Sequence, residues 1–230
     1  MTKQTMKMRG AAGGSMEQVI LDTAGELFDR QGFNQTSLQD IAGELGVVRG
    51  ALYHYFNNRE TILVAGVGRL IDRRNDFTEQ MRQLAGDPIE RLTGIMVGLG
   101  AFLNENSVWA RISLHDAVAL PEEARIRDRI SRLQIHDLLV QTLTEGVDLG
   151  YLRPHDERGT AVTIVATLIG LQGNFAATTD MSTQEATQLA INVILQGVED
   201  PGRGPVNPAK RGLRLMREGL ELIERAVSSR

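Results

Sequence analysis

The sequence predicts an all-α protein of about ten helices. Three observations support this fold class: apolar residues recur at helical spacing, helix start signals recur along the chain, and alternating strand patterns are nearly absent. The 230 residues suffice for a small N-terminal helical domain followed by a larger one, each with its own core.

The first predicted helix begins at Ser15, after a tail over residues 1–14 that we expect to be flexible. Ser15 and Gln18 have the spacing of a capping box, in which each residue satisfies a free backbone N–H of the other. Gly32 is expected to end this helix. The apolar residues between these limits share one helical face, and they are Ile20, Ala24, Leu27 and Phe28.

Residues 36–63 have the pattern of a helix-turn-helix. Ser37 and Asp40 form the start signal of one helix, and Gly46 interrupts it before a second short helix. In that second helix, the spacing of four residues predicts an inward apolar face composed of Val48, Leu52 and Phe56. The opposite face then carries bulky polar groups toward solvent, as a helix that enters a DNA major groove requires.

Arg49 lies at the N-terminal end of this recognition helix, where a guanidinium can bind guanine O6 and N7 and discriminate bases by ~1–3 kcal/mol. Gly50 allows close approach of the backbone. Aromatic, imidazole and cationic groups nearby suit phosphate contacts, as do the free N–H groups where the preceding helix starts. The predicted DNA-contacting residues are Ser37, Gln39, Arg49, Gly50, Tyr53, His54, Tyr55 and Arg59. The alternative interpretation makes Tyr53 and Tyr55 core aromatics and Arg49 a solvated surface residue.

The remaining start signals divide the chain further. Asn57 and Glu60 are expected to cap a helix that runs to about Ala85, and later helices are expected to start after Asp87 and Pro121. The predicted organisation is a flexible tail (1–14), a helix-turn-helix domain (15–60), a larger domain (61–198), a loop (199–206) and a basic C-terminal helix (207–230).

Two helices of the larger domain, at about 156–179 and 183–197, are the candidates for a dimer interface. Residues 159–179 contain no charged side chain, and a helix that is apolar nearly all round is buried somewhere. The stretch contains Gln172 and Asn174 and lacks flanking basic clusters, so a protein interface is favoured and no membrane contact is expected.

Charge is distributed unevenly. The net charge is −4. Residues 1–59 carry six basic and six acidic side chains, and residues 203–230 carry seven basic and three acidic ones, so the acidity lies in the middle of the chain. There are no cysteines, which excludes disulfides and fits a reducing compartment. The N-terminus lacks the apolar run of a secretory signal, so a cytoplasmic location is expected.

Residues 18–63 resemble the DNA-binding domain of the tetracycline-repressor (TetR) family of bacterial transcription regulators. The resemblance implies a homodimer that binds a palindromic operator, most often as a repressor, and that a small apolar or amphipathic effector releases. It also implies that the penultimate helices form the dimer interface. Val48 departs from the family pattern, which often has a polar cap at this position. The segments that carry the resemblance are ILDTAGELF, GFNQTSLQDIA, GVVRGALYHYF and NRETIL.

The effector pocket is expected between about residues 88 and 179, where apolar and aromatic residues occur with occasional polar partners. Ordinary core packing is the alternative explanation for each of them. The candidate residues are Met96, Phe102, Trp109, His115, Asn174 and Phe175.

Two rival functions remain at the level of sequence. A helical adaptor without DNA binding is one, because the N-terminal domain has little net charge. A metal-dependent hydrolase is the other, since His115-Asp116 and His136-Asp137 are His-Asp pairs. With four histidines and no further ligand set at helical spacing, a metal site is poorly supported, so we predict neither catalysis nor a cofactor.

Overall fold

The computed structural model describes residues 15–172 and 181–200, which confirm the all-α prediction. Within these ranges, the backbone pairing that resembles a strand is a single antiparallel bridge between Leu152 and Glu199. The predicted helix at 207–228 lies outside the described residues. The helices are α1 (Met16–Gln31), α2 (Leu38–Leu45), α3 (Arg49–Leu52), α4 (Arg59–Arg82), α5 (Pro88–Glu105), α6 (Ser107–His115), α7 (Glu122–Asp148), α8 (Glu157–Gly170) and α9 (Thr183–Val198).

Side-chain caps fix where several helices begin. Ser15 with Gln18 and Ser37 with Asp40 form the reciprocal bonds of a capping box, as the sequence predicts. Ser182 and Glu185 form the same arrangement at the start of α9. Such a cap stabilises a helix by typically ~1 kcal/mol. The start signals therefore locate these helix starts correctly.

The predicted cap of α4 is wrong by one residue. The Thr61 N–H donates to Asn58 Oδ1 at 2.8 Å, so Asn58 caps the helix in place of Asn57, and Thr61 replaces Glu60 as its partner. The Thr61 hydroxyl returns a hydrogen bond of 2.7 Å to the Asn58 carbonyl. Two adjacent asparagines offer equivalent caps, and this second bond favours Asn58.

Two helices end earlier than their sequences suggest. α4 ends at Arg82 rather than Ala85, and α8 ends at Gly170 rather than at residue 179. After α8, the Gln172 N–H donates to the Ile169 carbonyl at 3.1 Å, three residues back, so the chain forms a tighter turn. The uncharged stretch is thus not one continuous helix, although residues 173–180 lie outside the described part.

The chain forms two compact units. The first unit contains the described residues 15–77 together with Phe102–Leu133, and it is called the DNA-binding unit because it contains the predicted DNA-contacting residues. The second unit contains Thr78–Ala101 together with the described residues from 134 onward. The helix-turn-helix therefore shares a unit with α6, although α6 is remote in sequence. The predicted domain boundary after residue 60 is a functional division that these units do not test.

Trp109 of α6 is the centre of the core of the DNA-binding unit. A Cβ at Gly25 of α1 would lie 3.0 Å from the indole, and one at Gly66 of α4 would overlap the indole itself. Phe28 meets the indole edge-to-face with ring centroids 6.3 Å apart, and Phe33 meets Phe28 in the same way at 5.1 Å. Gly25 costs helix propensity, and the structure supplies the reason: both glycines make room for the ring.

Ion pairs join the helices of the same unit. Arg111 of α6 binds the carboxylate of Asp29 on α1 through two bonds of 2.9 and 2.6 Å. Arg74 of α4 pairs with Asp128 of α7 at 2.9 Å, and both side chains are buried. Burial lowers the pKa of Arg74, while the carboxylate of Asp128 opposes this shift. Arg132 also contacts Asp128, at 2.6 Å, so two cations compensate that buried carboxylate.

The core of the second unit is aliphatic. Its fully buried side chains come from α5, α7, α8 and α9, and they include Leu92, Ile95, Met96, Leu139, Leu143, Ile164 and Ile191. None of the helices among the described residues is both long and apolar enough to span a bilayer.

Replacement of Gly66 by alanine tests the packing around Trp109. Because the new methyl group would overlap the indole, Gly66→Ala is expected to lower the free energy of unfolding by about 1–3 kcal/mol. Gly68→Ala is the matched control, since no heavy atom lies within 4 Å of its Cβ position, and it should stabilise α4 slightly. Urea unfolding followed by the fluorescence of Trp109, the single tryptophan, measures both. Equal stability of the two variants would refute the packing.

The ion pair between Asp29 and Arg111 predicts a dependence of stability on pH. Hydrogen bonds from Arg111 hold the pKa of Asp29 below its ordinary value. The stabilisation is therefore present above the unfolded pKa of ~3.9 and is lost as the pH falls through the lower folded pKa.

Asp29→Asn should accordingly lower stability at pH 7 by ~0.5–1 kcal/mol, since the pair is partly exposed. The difference from the unsubstituted protein should shrink in acid. Glu26→Gln on the same helix, whose carboxylate has no ion pair among the described residues, should show no such pH dependence. A difference for Asp29→Asn that persists unchanged below pH 3 would contradict the assignment.

Candidate nucleic-acid interface

The turn between α2 and α3 sets the direction of the recognition helix. Gly46 has φ 68°, in the left-handed region that favours glycine. The Gly46 N–H bonds to the Gly43 carbonyl at 3.1 Å, and the Val47 N–H bonds to the Ala42 carbonyl at 3.0 Å. These two bonds form the Schellman arrangement, which satisfies the last carbonyls of α2 and ends it sharply.

α3 is shorter than the sequence suggests. Regular helix covers Arg49–Leu52, and residues 53–55 form a turn before Phe56. Leu52 and Phe56 are buried as predicted, but the prediction for Val48 is wrong, because its side chain is 77% exposed. Val48 occupies the cap position with an extended backbone, so the helical spacing that orients Leu52 and Phe56 does not apply to it. Its side chain forms no capping hydrogen bond.

Arg49 and Tyr53 form a pair on the outer face of this segment. The Arg49 guanidinium donates to the Tyr53 hydroxyl at 2.6 Å and lies 5.4 Å from the centre of the Tyr53 ring. Arg49 forms no ion pair with a carboxylate in the described part of the chain. Its positive charge is thus oriented by a neutral partner and remains available to an anion or a base edge.

A surface depression of about 290 Å³ lies beside this pair and brings together four of the predicted DNA-contacting residues: Ser37, Arg49, Tyr53 and Arg59. Asn57 and Asn58 also line it, and the sequence analysis assigned neither to the interface. Their position directly after the recognition helix was the available signal. The other four predicted residues, Gln39, Gly50, His54 and Tyr55, are exposed outside this depression.

The exposure of the tyrosines excludes the interpretation in which they are core aromatics, and the contact of Arg49 with DNA stays a prediction. Tyr53 is 44% exposed and Tyr55 is 49% exposed, so neither is a core aromatic. Arg49 is exposed as well, beside Tyr53. The aromatic residues that build the core of this unit are instead phenylalanines and Trp109.

Arg59 has a structural role that the sequence analysis missed. Its Nη1 donates to the carbonyls of Phe33, Asn34 and Thr36 at 2.8–3.1 Å, and its guanidinium lies 4.7 Å from the centre of the Phe33 ring. These contacts hold the chain that leads into α2. We infer that Arg59 positions the interface, whereas its predicted contact with phosphate stays a prediction.

The N-terminus of α2 is occupied in part by the protein itself. The Asp40 carboxylate accepts hydrogen bonds from the Ser37 N–H at 2.8 Å and the Ser37 hydroxyl at 2.7 Å. The bond from the hydroxyl is the main reason that the pKa of Asp40 lies below its ordinary value. A carboxylate at this position competes with a phosphate for the positive end of the helix dipole.

The candidate effector residues fall in both units. Met96 is buried in the second unit, whereas Phe102, Trp109 and His115 belong to the DNA-binding unit. Phe102 stacks on Phe77 at 5.1 Å, and His115 is exposed. Asn174 and Phe175 lie outside the described residues.

Trp109 lines a cavity of about 340 Å³ whose other walls are largely charged. Arg69 of α4 pairs there with Asp22, and Arg73 lies 3.6 Å from Glu105. These cations and anions compensate each other, and Trp109 is part of the core. Packing within the unit therefore accounts for the side chains that line this cavity.

The two His-Asp pairs that suggested a hydrolase belong to different units. His136 Nδ1 lies 3.7 Å from the Asp137 carboxylate, and Asp116 follows the end of α6. Among the residues that the structure describes, no group of three or more His, Asp or Glu side chains is arranged to hold a metal.

Comparison with known proteins matches both parts of the chain. The family model described as "Bacterial regulatory proteins, tetR family" matches residues 20–65, and the model "Tetracyclin repressor-like, C-terminal domain" matches residues 85–198. The transcriptional repressor KstR2 of Mycobacterium tuberculosis is 27% identical over 142 residues, which is 59% of this chain and 68% of that repressor.

Solved structures are similar to this fold. The TetR-family regulator PfmR from Thermus thermophilus has a TM-score of 0.69 and 27% identity, over 77% of this chain and 97% of PfmR. The complex of AibR with isovaleryl coenzyme A and operator DNA has a TM-score of 0.67 and 22% identity, over 77% of this chain and 96% of AibR, and it supports the fold alone. Together with the exposed recognition segment, these matches show that the chain belongs to the TetR family of bacterial transcriptional regulators and is a DNA-binding protein.

Proposed function

We propose that the protein is a homodimeric repressor that binds a palindromic operator through Arg49 and the residues around it, and that a small apolar or amphipathic molecule releases it. The exposed Arg49–Tyr53 pair on a helix-turn-helix carries this proposal. Repression is supported by the similarity to KstR2, which is a transcriptional repressor.

Arg49 is proposed to read a base, and the predicted residues around it are proposed to contact DNA phosphates and so fix the position of the protein along the duplex. The Tyr53 hydroxyl holds the Arg49 guanidinium on the outer face of α3. Ser37, at the N-terminus of α2, lines the same surface depression as this pair. A guanidinium that is already oriented loses less conformational entropy when it forms a bidentate pair with guanine. Tyr53 therefore supports specificity in addition to any contact of its own.

The dimer is proposed to form through α8 and α9, which contact each other in the second unit. Val162 on α8, and Leu189 and Val193 on α9, are 52–61% exposed. Next to them, Ala166 and Gly170 present small exposed surfaces that allow close helix approach. A homodimer that binds a palindromic operator needs its two recognition segments about 34–36 Å apart, one turn of the duplex.

The effector is proposed to bind in the second unit, beside the buried Met96. Of the other candidates, Phe102, Trp109 and His115 belong to the DNA-binding unit, and Asn174 and Phe175 lie outside the described residues. AibR, whose structure contains isovaleryl coenzyme A and operator DNA, has a similar fold. An effector releases the protein from DNA only if it binds more tightly to the conformer that does not bind DNA than to the one that does.

Substitution of Arg49 tests the reading of sequence. Arg49→Ala is expected to reduce the preference for a selected duplex over a scrambled one by about 5- to 150-fold, the equivalent of ~1–3 kcal/mol. Tyr53→Phe, which keeps the ring and removes the hydroxyl that orients Arg49, should reduce it by a smaller factor. Fluorescence anisotropy titrations with both duplexes measure the ratio.

Arg30→Ala is the matched control for Arg49, because Arg30 is an exposed arginine of the same domain that faces Glu44 at 3.4 Å. It should leave the preference unchanged. A preference that survives Arg49→Ala while overall affinity falls would assign Arg49 to the phosphate backbone and refute its proposed role.

Charge placed on α9 tests the assembly. The protein should sediment near twice its chain mass of 25.3 kDa, and Leu189→Glu with Val193→Glu should shift it to 25.3 kDa at micromolar concentration. Val118→Glu, at an 88% exposed position of the DNA-binding unit, should remain dimeric. A monomeric unsubstituted protein would favour the helical adaptor, and a variant that stays dimeric would exclude this interface.

A further inference from the structure

We propose that residues 207–228 dock as an amphipathic helix on the outer face of α7, in the groove formed by Val140, Gln141, Thr144, Glu145, Asp148 and Leu149. This segment follows the residues that the family models match, which end at 198.

The direction of the chain at residue 200 points toward this groove. The Arg153 N–H donates to the Val198 carbonyl at 2.9 Å, and the Asp200 N–H donates to the Tyr151 carbonyl at 3.1 Å, around the antiparallel bridge. In an antiparallel pair, rising numbers on one strand run along falling numbers on the other. From Val198 to Asp200 the chain therefore runs from beside Arg153 toward Tyr151, next to the turn at Leu149 and Gly150 that ends α7.

The length of the connection fits. Residues 201–206 can span up to about 20 Å when extended. Leu149 and Val140 are separated along α7 by about 14 Å, at 1.5 Å per residue. The segment from residue 207 onward can thus start at any point of the groove and run back along α7.

The groove has a volume of about 610 Å³ and combines apolar and acidic groups. Leu149 is exposed, and Val140 is half-buried. Glu145 pairs with Arg91 at 2.7 Å, whereas Asp148 is exposed and has no ion pair among the described residues. A partner that supplies apolar side chains flanked by cations suits this surface.

The sequence of the C-terminal segment has that composition. Leu213, Met216, Leu220, Ile223 and Val227 alternate at spacings of three and four residues, which places them on one face of a helix. Residues 203–230 carry seven basic and three acidic side chains, in contrast to the acidic middle of the chain. Both the apolar face and the charge therefore match the groove.

Thiol labelling of the full chain tests the proposal, because the protein has no cysteine of its own. Thr144→Cys is expected to react with iodoacetamide at least about tenfold more slowly when the C-terminal segment is intact than when it carries Leu220→Glu and Ile223→Glu. Glu17→Cys, an exposed position on α1, should react equally in all backgrounds. Equal rates at Thr144→Cys with and without the C-terminal substitutions would overturn the proposal.

A disulfide scan separates docking within one chain from other occupants, and it does not use the glutamate substitutions at Leu220 and Ile223. Thr144→Cys is combined in turn with Leu213→Cys, Met216→Cys, Leu220→Cys and Ile223→Cys under mild oxidation. At least one pair should form a disulfide within a chain. Disulfides that join two chains, or protection that disappears on dilution to nanomolar protein, would assign the groove to a second copy and overturn the proposal, as would the absence of any disulfide.

Discussion

The packing of Trp109 against Gly25 and Gly66 is the constraint on which the DNA-binding unit depends. The indole fills the space that side chains on α1 and α4 would occupy, and Phe28 closes its edge. Because α1 and α4 flank the helix-turn-helix in sequence, a single residue of α6 fixes the two helices that support the recognition segment. A close-packed interior transmits displacement rather than absorbing it, so movement of α6 would reach α1 and α4 directly.

Charge compensation keeps an acidic sequence compatible with a DNA-binding surface. Three of the six carboxylates of α1 and α2 are matched by arginines: Asp22 by Arg69, Asp29 by Arg111 and Glu44 by Arg30. In contrast, Arg49 is oriented by a tyrosine hydroxyl. The net charge of the chain is therefore a poor guide to the potential at the recognition face, because the distribution of ion pairs decides which cation is available to DNA. The Asp40 carboxylate at the start of α2 still disfavours the binding of a phosphate at that end of the helix.

The sequence predicted those features that are encoded locally. Capping boxes, the glycine after α2 and the buried Leu52 and Phe56 depend on residues a few positions apart, and the structure confirms them. The exposed face of α3 followed from the same spacing. Features that depend on distant residues were missed: the three carbonyls held by Arg59 lie more than twenty residues away, and the glycines under Trp109 lie on other helices. The error at Val48 arose because a helical period was extended past the first residue of the helix.

Selection of binding sites from a pool of random duplexes tests the central claim most directly, namely that the exposed face beginning at Arg49 reads a DNA sequence. The account predicts enrichment of a motif with two-fold symmetry, a guanine in each half-site, and half-site centres about 10 base pairs apart or a multiple of this spacing. Recovery of a pool whose composition equals that of the input, at salt concentrations that suppress non-specific binding, would contradict it.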